Sequence, residues 1–265
     1  MLLEVDQTMG MRAWKIMRPP LVAGAVLAGQ MARAIYREDL PSLENQDPSG
    51  VFGSADAPPL TIVFLGDSSI TAPGVDPLDS SWPRQLAMHL ADRYRVTAIS
   101  VAVGGSKIRD VLDSQVDQAL ALRPDIAYLS AGSNDALRAT PIARFEADYD
   151  RAVRALHTDV PAVGLSGIGD LGTIPRLPEL AKGFARIRAR AVDRAIARVS
   201  RHYPNTVKSN AWDVMQQMFT TDSPMFGADL FHASAEGHLA FASVGVHVAD
   251  RLVDVWQEQI SETHG

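Results

Sequence analysis

Residues 61–75 read TIVFLGDSSITAPGV, an apolar run that stops abruptly at a glycine. The four residues that end at Leu65 are all apolar and include two β-branched side chains, which is typical of a buried strand in a parallel sheet. Gly66, Asp67 and Ser68 follow directly. Ordinary turns use the same residue types, so this segment indicates a reactive serine only if distant parts of the chain supply its partners.

Downstream of this segment, short β-type runs alternate with helical patterns. The predicted strands are 61–65, 96–103, 125–131, 162–166 and 206–210, and the predicted helices are 82–94, 108–122, 142–157, 178–202 and 236–258. Strands separated by helices of this length indicate βαβ units and a parallel sheet that is covered on both faces. We therefore predict an α/β fold, a three-layer α/β/α domain with a mainly parallel, flavodoxin-like central sheet.

The residues before the first predicted strand divide into two parts. Residues 1–36 contain a basic start, an apolar run and a small-residue site, which is the layout of a secretory signal or a membrane-proximal anchor. Residues 37–59 are rich in Pro, Ser, Asp and Gly, and they predict a linker or surface-wrapping segment rather than an element. Residues 60–265 then form the folded domain.

This N-terminal layout favours an exported or cell-envelope protein, held near a membrane by its first residues. The apolar run at residues 21–29 is shorter than the roughly 20 residues that a spanning helix needs. The alternative is a cytoplasmic protein in which a helix starting after Pro19 and Pro20 packs on the body. The sequence leaves the oligomeric state open.

The composition narrows the class of protein. The chain has 265 residues, of which 46% are apolar and 21% charged, so it is long enough and apolar enough for a substantial core. Its net charge of −6 argues against a nucleic-acid partner, because phosphate binding needs clustered cations. The absence of cysteine excludes disulfides, thiolate metal ligands and cysteine nucleophiles.

Three of the predicted strands end in small or polar residues. The first ends in GDS at residues 66–68, the second leads into AVGGSKI at residues 102–108, and the third leads into SAGSNDAL at residues 130–137. Ligands of open parallel sheets bind beyond the carboxyl ends of the strands. We therefore expect a functional site where these three segments meet.

A fourth polar segment, GADLFHASAEGH at residues 227–238, places Asp229 and His232 three residues apart before the last predicted helix. A serine hydroxyl becomes an effective nucleophile when a histidine takes its proton. A carboxylate fixes the tautomer of that histidine and stabilises the imidazolium that forms. One short loop thus carries both a candidate base and its candidate partner.

Acyl transfer also needs donors for the oxyanion that develops on the substrate. The candidates are the backbone N–H of Ser68, a backbone N–H in the Gly104-Gly105 turn and the side-chain amide of Asn134. Glycine suits the turn because a side chain there would block the substrate.

These segments, in this order, resemble the sequence blocks of the SGNH (GDSL-type) hydrolases, over about residues 60–258. The matching blocks are GDS at 66–68, Gly105, GSND at 132–135 and DLFH at 229–232. A weaker likeness, SGIGDLGTI at 166–174, is to actinobacterial members. The resemblance implies a carboxylesterase that acts on a small-molecule ester through an acyl-serine, with no metal or organic cofactor. We expect short to medium acyl chains, with lipids or acylated glycans as further candidate substrates.

Carried over by position, the resemblance assigns three catalytic residues and three oxyanion donors. Ser68 is the nucleophile, His232 the base and Asp229 the partner of that base. The oxyanion hole is formed by Ser68, Gly105 and Asn134.

The chain departs from the family pattern in the second block. An asparagine commonly precedes the glycine turn, and Ser100 occupies that place here. The doubled Gly104-Gly105 also offers two donors, of which we choose Gly105. Neither departure removes a catalytic group.

Other readings of the first and third blocks remain open. Ser69 is an alternative nucleophile, although the family match favours Ser68 and gives Ser69 a supporting role in the turn. Asp67 and Asp135 would bind a metal with a histidine in a metal-dependent phosphoesterase, or else hydrogen-bond backbone and shape the loops. A flavodoxin-like binding module without catalysis would instead hold a phosphate at the 66–69 loop.

Two further features each have two readings, and a third is assigned a structural role. The Met- and Phe-rich run at residues 214–226 is either an acyl-binding wall or lid, or core packing beneath the catalytic loop. Trp82 either lines the pocket entrance or anchors the first helix. His238 lies one turn into the last helix, and we assign it a structural role.

Overall fold

The computed structural model describes residues 38–220 and 224–264, together with residues 26, 29 and 30. Within these residues, a six-stranded sheet carries helices on both faces. The strands are β1 (Gly50–Phe52), β2 (Pro59–Gly66), β3 (Arg95–Ser100), β4 (Ile126–Ser130), β5 (Ala162–Leu165) and β6 (Thr206–Lys208). The α-helices are α1 (Ser68–Thr71), α2 (Trp82–Leu90), α3 (Ile108–Asp110), α4 (Val116–Ala121), α5 (Ser133–Leu137), α6 (Ile142–Asp159), α7 (Glu179–Ser200), α8 (Ala211–Met218) and α9 (Ala235–His264).

The described sheet is parallel except at one edge. Its order is β1-β3-β2-β4-β5-β6, and β1 runs antiparallel to β3. Without β1, this is the doubly wound, flavodoxin-like order, which confirms the predicted fold class. In the parallel register, Gly66 of β2 pairs with Ser130 of β4, so the first and third polar segments start side by side.

The central strand β2 is apolar on both sides because both faces of the sheet are covered. Val63 and Leu65 point into one core, which the side chains of α6 and α7 complete. Ile62 and Phe64 point into the other core, against α2 and α9. Successive side chains of a strand alternate between its faces, so one short apolar run holds both helical layers to the sheet.

The structure differs from the prediction for residues 37–59, where we expected no element. Strand β1 lies in that segment and pairs with β3, with Val51 opposite Thr97. The sequence of β1 shows no alternating apolar pattern. This three-residue strand forms because the edge of β3 supplies its hydrogen-bond partners. The segment also reaches the first polar loop, since the Gln46 N–H donates to the Thr71 carbonyl over 2.7 Å.

Three short helices were also absent from the prediction, the first of which is α1, directly after β2. Helix α5 directly follows β4 in the third polar segment, and α8 occupies the start of the Met- and Phe-rich run. These helices have four, five and eight residues. All three are shorter than the length at which periodicity identifies a helix reliably. Residues 111–115 form a π-helical turn between α3 and α4, inside one predicted helix.

The predicted signal or anchor at residues 1–36 lies outside the described residues, apart from three isolated positions. Within the part of the chain that the structure describes, no helix has both the length and the apolar composition to cross a bilayer.

Candidate active site

The site begins at Gly66, where β2 ends against β4. Gly66 has φ +148°, and a Cβ atom there would lie 1.9 Å from the Ser130 carbonyl oxygen. The Gly66 N–H donates to Gln115 Oε1 over 2.7 Å, and Gln115 Nε2 donates to the Gly66 carbonyl over 3.0 Å. Gln115 is buried in the π-helical turn, so this amide holds the backbone just before the candidate nucleophile.

Helix α1 presents Ser68 as its first residue. Asp67 caps the helix, because its carboxylate accepts the Ser69 N–H over 2.9 Å. The Ser69 hydroxyl shares a 2.7 Å hydrogen bond with the Ser130 hydroxyl, which is a supporting contact of the kind expected for Ser69. Burial raises the pKa of Asp67, and hydrogen bonds from Ser69 and Asn134 limit that rise.

His232 and Asp229 form a hydrogen-bonded pair in the loop before α9. Asp229 Oδ2 lies 2.7 Å from His232 Nδ1, and Asp229 Oδ1 accepts the N–H groups of Phe231 and His232, both over 3.0 Å. Burial raises the pKa of Asp229, but the hydrogen bonds from His232 and Phe231 outweigh burial and lower it overall. The carboxylate therefore stays charged and holds the proton of the ring on Nδ1.

The loop that carries this pair is closed by its own backbone. The Gly227 N–H donates to the His232 carbonyl over 2.8 Å, and the Leu230 N–H donates to the Gly227 carbonyl over 2.9 Å. Leu230 takes a left-handed conformation with φ +55°. Phe226 and Ala233 form a β-bridge that joins the two ends of the loop.

Ser68 and His232 line the same cavity, which has a volume of about 170 Å³. The described residues include no direct hydrogen bond between the two side chains. Catalytic hydrogen bonds are often longer before substrate binds. The structure therefore brings together the predicted nucleophile, base and carboxylate, from segments far apart in the sequence.

The two remote oxyanion candidates lie beside the first loop, outside the cavity lining. Asn134 Nδ2 lies 3.3 Å from Asp67 Oδ2 and 3.1 Å from the Ser106 carbonyl oxygen, and it donates to both. Gly105 has φ +81°, and a Cβ atom there would meet only Arg138, at 3.7 Å. The space on the Cβ side of Gly105 is thus open.

The departure at Ser100 leaves the second segment ordered. Ser100 Oγ accepts the Ala102 N–H over 3.3 Å, and the Ser100 N–H donates to Ser49 Oγ over 2.9 Å. Ser49 belongs to the segment predicted as a linker. The wrapping segment therefore supports this turn as well.

The cavity is mainly aromatic and aliphatic. It lies between the carboxyl ends of β4 and β5 and helices α2, α8 and α9. Large side chains form most of its wall, among them Trp82, Tyr128, Ile168, Met215, Phe219 and Phe241. Met215 and Phe219 also belong to a small buried cluster, so the run predicted as either acyl wall or core packing both lines the cavity and packs in the core. Trp82 lines the cavity and packs against Phe64.

The two aspartates of the metal hypothesis act as acceptors for loop groups. Asp135 Oδ2 accepts the Ile108 N–H over 2.9 Å, and burial raises the pKa of Asp135. Asp67 binds Ser69 and Asn134 as described above. Among the described residues, no three acidic or histidine side chains converge as a metal site.

Sequence reasoning missed two contributors to this site. Gln115 lies on the buried side of a predicted helix, and a polar residue at an apolar position was the available signal. His238 was assigned a structural role, but it lines the cavity and is buried. Its hydrogen-bond partner, the Trp82 N–H, lies on another element, so no local pattern marks it.

Comparisons with known proteins agree with this geometry. The family model described as GDSL-like Lipase/Acylhydrolase matches residues 64–240. The fold is similar to that of TesA, with a TM-score of 0.61, 20% identity, and coverage of 72% of this chain and 99% of that chain. It is also similar to Axe2, an acetylxylan esterase from Geobacillus stearothermophilus, with a TM-score of 0.60, 17% identity, and coverage of 75% and 95%.

A third similar structure is LAE5, an alpha/beta hydrolase enzyme from the metagenome of Lake Arreo in Spain. It has a TM-score of 0.60, 19% identity, and coverage of 74% of this chain and 97% of that chain. No curated protein matches the chain significantly. Because these sequences are 17–20% identical to the chain, the solved structures show that the fold is shared. The evidence for a shared family is the match to the family model.

Proposed function

This chain belongs to the GDSL-like lipase/acylhydrolase family and is an SGNH-type serine hydrolase, and from that premise we propose that it hydrolyses carboxylic esters through an acyl-serine on Ser68. The observation that carries the proposal is the His232–Asp229 pair, at 2.7 Å, on the same cavity as Ser68. A small-molecule ester is the expected substrate, and a nucleic acid is not.

In the proposed acylation step, Ser68 Oγ attacks the ester carbonyl carbon while its proton passes to His232 Nε2. Asp229 accepts the hydrogen bond from Nδ1, so the Nε2 lone pair is free to take that proton. The backbone N–H of Ser68, the turn at Gly105 and the amide of Asn134 are the donors proposed for the oxyanion. His232 then returns the proton to the departing alcohol.

The proposed deacylation step repeats this chemistry with water. His232 Nε2 takes a proton from a water molecule, whose oxygen attacks the acyl carbon. The bond from the acyl carbon to Ser68 Oγ then breaks, the acid leaves, and His232 returns the proton to Ser68 Oγ. Asn134 is bonded to Asp67 and to the Ser106 carbonyl in the substrate-free structure. Its amide must therefore share or exchange one of these acceptors when an oxyanion forms.

The cavity supports a preference for short to medium acyl groups. An apolar cavity of about 150 Å³ holds one benzene molecule, and the cavity here measures about 170 Å³. A space of this size accommodates roughly six carbon atoms. We expect the turnover of p-nitrophenyl esters to rise up to about six acyl carbons and to fall for longer chains.

The first test compares purified wild-type protein with Ser68→Ala and His232→Ala on this ester series. We expect each variant to lose about 10³-fold or more in kcat, because the two side chains act as one unit. Ser114→Ala and His89→Ala, both outside the cavity, serve as matched controls and should keep full activity. A fully active Ser68→Ala protein would show that another residue is the nucleophile.

We also propose an exported or envelope-associated location, with a cytoplasmic location as the alternative. The proposal rests on the layout of residues 1–36, which precede the described fold. Fractionation of cells that express the full chain, with detection of a tag at the C-terminus, tests it. Recovery of all the protein in the cytosol at full length would contradict it.

A further inference from the structure

His238 is a buried histidine outside the proposed triad. It lies on α9, is 3% exposed, and lines the same cavity as Ser68. Four described residues of α9 line that cavity, and His238 is the one with a polar side chain; the others are Phe241, Val244 and Gly245. Because buried polar groups normally have hydrogen-bond partners, the partner of each ring nitrogen of His238 has to be identified.

One ring nitrogen of His238 caps helix α2. The backbone N–H of Trp82, at the start of that helix, donates to His238 Nδ1 over 3.3 Å. A backbone N–H can only donate, so Nδ1 is the unprotonated nitrogen of the ring. Burial lowers the pKa of His238 to about 4, so at neutral pH the ring is uncharged and carries its single proton on Nε2.

The Nε2–H group of His238 has no hydrogen-bond acceptor among the described residues. Several other polar groups of the cavity wall have partners within the wall. The Ser69 and Ser130 hydroxyls bond each other at 2.7 Å, and the Tyr128 hydroxyl interacts with the side chains of Ser209 and Ser166. His238 Nε2–H is therefore a donor that this wall leaves available to a ligand, alongside the hydroxyls of Ser68 and Ser133.

We propose that His238 Nε2–H binds an acceptor atom on the acyl group of the substrate, so that the enzyme prefers acyl chains that carry an oxygen over their all-carbon analogues. This inference rests on the proposed esterase function, because it takes the cavity beside Ser68 as the place of the acyl group. A site with a buried donor discriminates against a ligand that leaves the donor unpaired.

The test uses esters of equal size that differ by one atom. The substrates are p-nitrophenyl hexanoate and its three isosteres in which carbon 3, 4 or 5 of the acyl chain is replaced by an ether oxygen. We divide each kcat/KM by the rate constant for alkaline hydrolysis of the same ester, which removes the inductive effect of the ether oxygen. The corrected wild-type value should be about tenfold higher for at least one isostere than for the hexanoate, which is the effect of one hydrogen bond. Three positions are used because the acceptor must meet Nε2 at one depth in the cavity.

Two variants separate recognition from structural support. His238→Gln keeps an oxygen for the Trp82 N–H and an N–H for the cavity, whereas His238→Phe removes both. We expect His238→Gln to retain a preference for the same isostere and His238→Phe to lose it. A merely structural His238 would lower activity on all four esters equally, leaving the ratio unchanged. His89→Phe, at the His89–Asp250 pair outside the cavity, is the matched control.

The wild-type ratio keeps the inference falsifiable even if His238→Phe does not fold. Ser68-dependent hydrolysis in which hexanoate equals or exceeds every isostere would overturn the inference and leave the proposed function standing. The same result is expected if Nε2–H binds only a water molecule and never contacts the substrate.

Binding provides a readout that does not depend on turnover. Calorimetric titration of Ser68→Ala with methyl hexanoate and its three isosteres should give a dissociation constant about tenfold lower for the isostere that His238 recognises. If the wild-type protein hydrolyses none of the esters, the proposed function fails, and this titration still decides the inference. Equal dissociation constants for all four ligands would overturn it.

Discussion

At the scale of single residues, the geometry of the site depends on Gly66. Strand β2 must turn away from β4 immediately before Asp67 and Ser68, and the Gly66 backbone approaches the Ser130 carbonyl closely. Its φ of +148° is one that side chains rarely adopt. Glycine is therefore required here by both the conformation and the contact, and the position of Ser68 follows from it.

We predict that Gly66→Ala destabilises the protein by about 3 kcal/mol or more, because strain at a special φ and a backbone clash are among the mechanisms with large effects. The added Cβ would lie 1.9 Å from the Ser130 oxygen. Urea unfolding followed by circular dichroism measures the change in the free energy of unfolding.

Gly183→Ala is the matched control for this prediction. Gly183 lies within α7, and a Cβ atom there would meet nothing within 4 Å. Alanine in a helix is more stable than glycine by roughly 0.5–1 kcal/mol, so this variant should gain stability. A Gly66→Ala protein as stable as wild type would show that β2 ends differently from the structure described.

At the scale of elements, α1 is too short to hold itself in place. It has four residues, and isolated helices need about 12 or more residues to be even marginally stable. Residues 43–46 supply part of the missing support. Gln46 Nε2 donates to the Ala72 and Val75 carbonyls, each over 2.9 Å, and Thr71 Oγ1 donates to Asn45 Oδ1.

We predict that Gln46→Ala lowers kcat roughly tenfold or more, since a displacement of about 1 Å in a catalytic group is enough to do so. Stability should fall by about 1–2 kcal/mol through the lost hydrogen bonds. Steady-state kinetics on a short ester, together with urea unfolding, measures both effects.

Glu44→Ala provides the comparison, because Glu44 is exposed in the same segment. It should match wild type in both measurements. Reduced stability with an unchanged kcat for Gln46→Ala would mean that the segment stabilises the fold without positioning Ser68.

At the scale of the whole molecule, the site is assembled by the order of the sheet and by the last helix. The parallel strands bring three polar segments to one edge, and α9 packs across α2, with Gly245 against Leu86. That packing brings His238 Nδ1 within 3.3 Å of the Trp82 backbone nitrogen, and it closes the cavity. A residue of the last helix thus links the start of α2 to the cavity.

We predict that His238 makes stability depend on pH between about 6.5 and 4. The folded protein keeps this ring neutral down to about pH 4, whereas the unfolded chain takes up the proton near pH 6.5. The unfolded state therefore binds more protons in this window, and the free energy of unfolding falls as the pH falls. The contribution of His238 amounts to about 3 kcal/mol across the window.

The measurement is the difference in the free energy of unfolding between wild type and His238→Gln at pH 7 and at pH 4.5. The difference is needed because burial also raises the pKa of Asp67 and Asp135, which acts in the opposite direction. Wild type should lose its advantage over the variant as the pH falls. A pH-independent difference would contradict the prediction.

Much of the fold and of the site was predictable from local patterns. The apolar runs and helical periods identified the five parallel strands and the five longest helical segments, because strands buried on both faces are apolar throughout and the helices that cover them are apolar at helical spacing. Ser68 was identifiable as a candidate because it ends an apolar run, and Asp229 and His232 because they lie three residues apart just before the last predicted helix. Their catalytic roles await the variants described above.

The remaining features depend on parts of the chain that meet only in the folded state. Strand β1 exists because the edge of β3 is free to pair, and Gln115 matters because the π-helical turn faces Gly66. The cavity is the space left between side chains of several elements, and the tautomer of His238 is set by the first N–H of a distant helix. Periodicity and local motifs record which residues are buried or polar, whereas contact, cavity volume and proton position follow from distances that only packing sets.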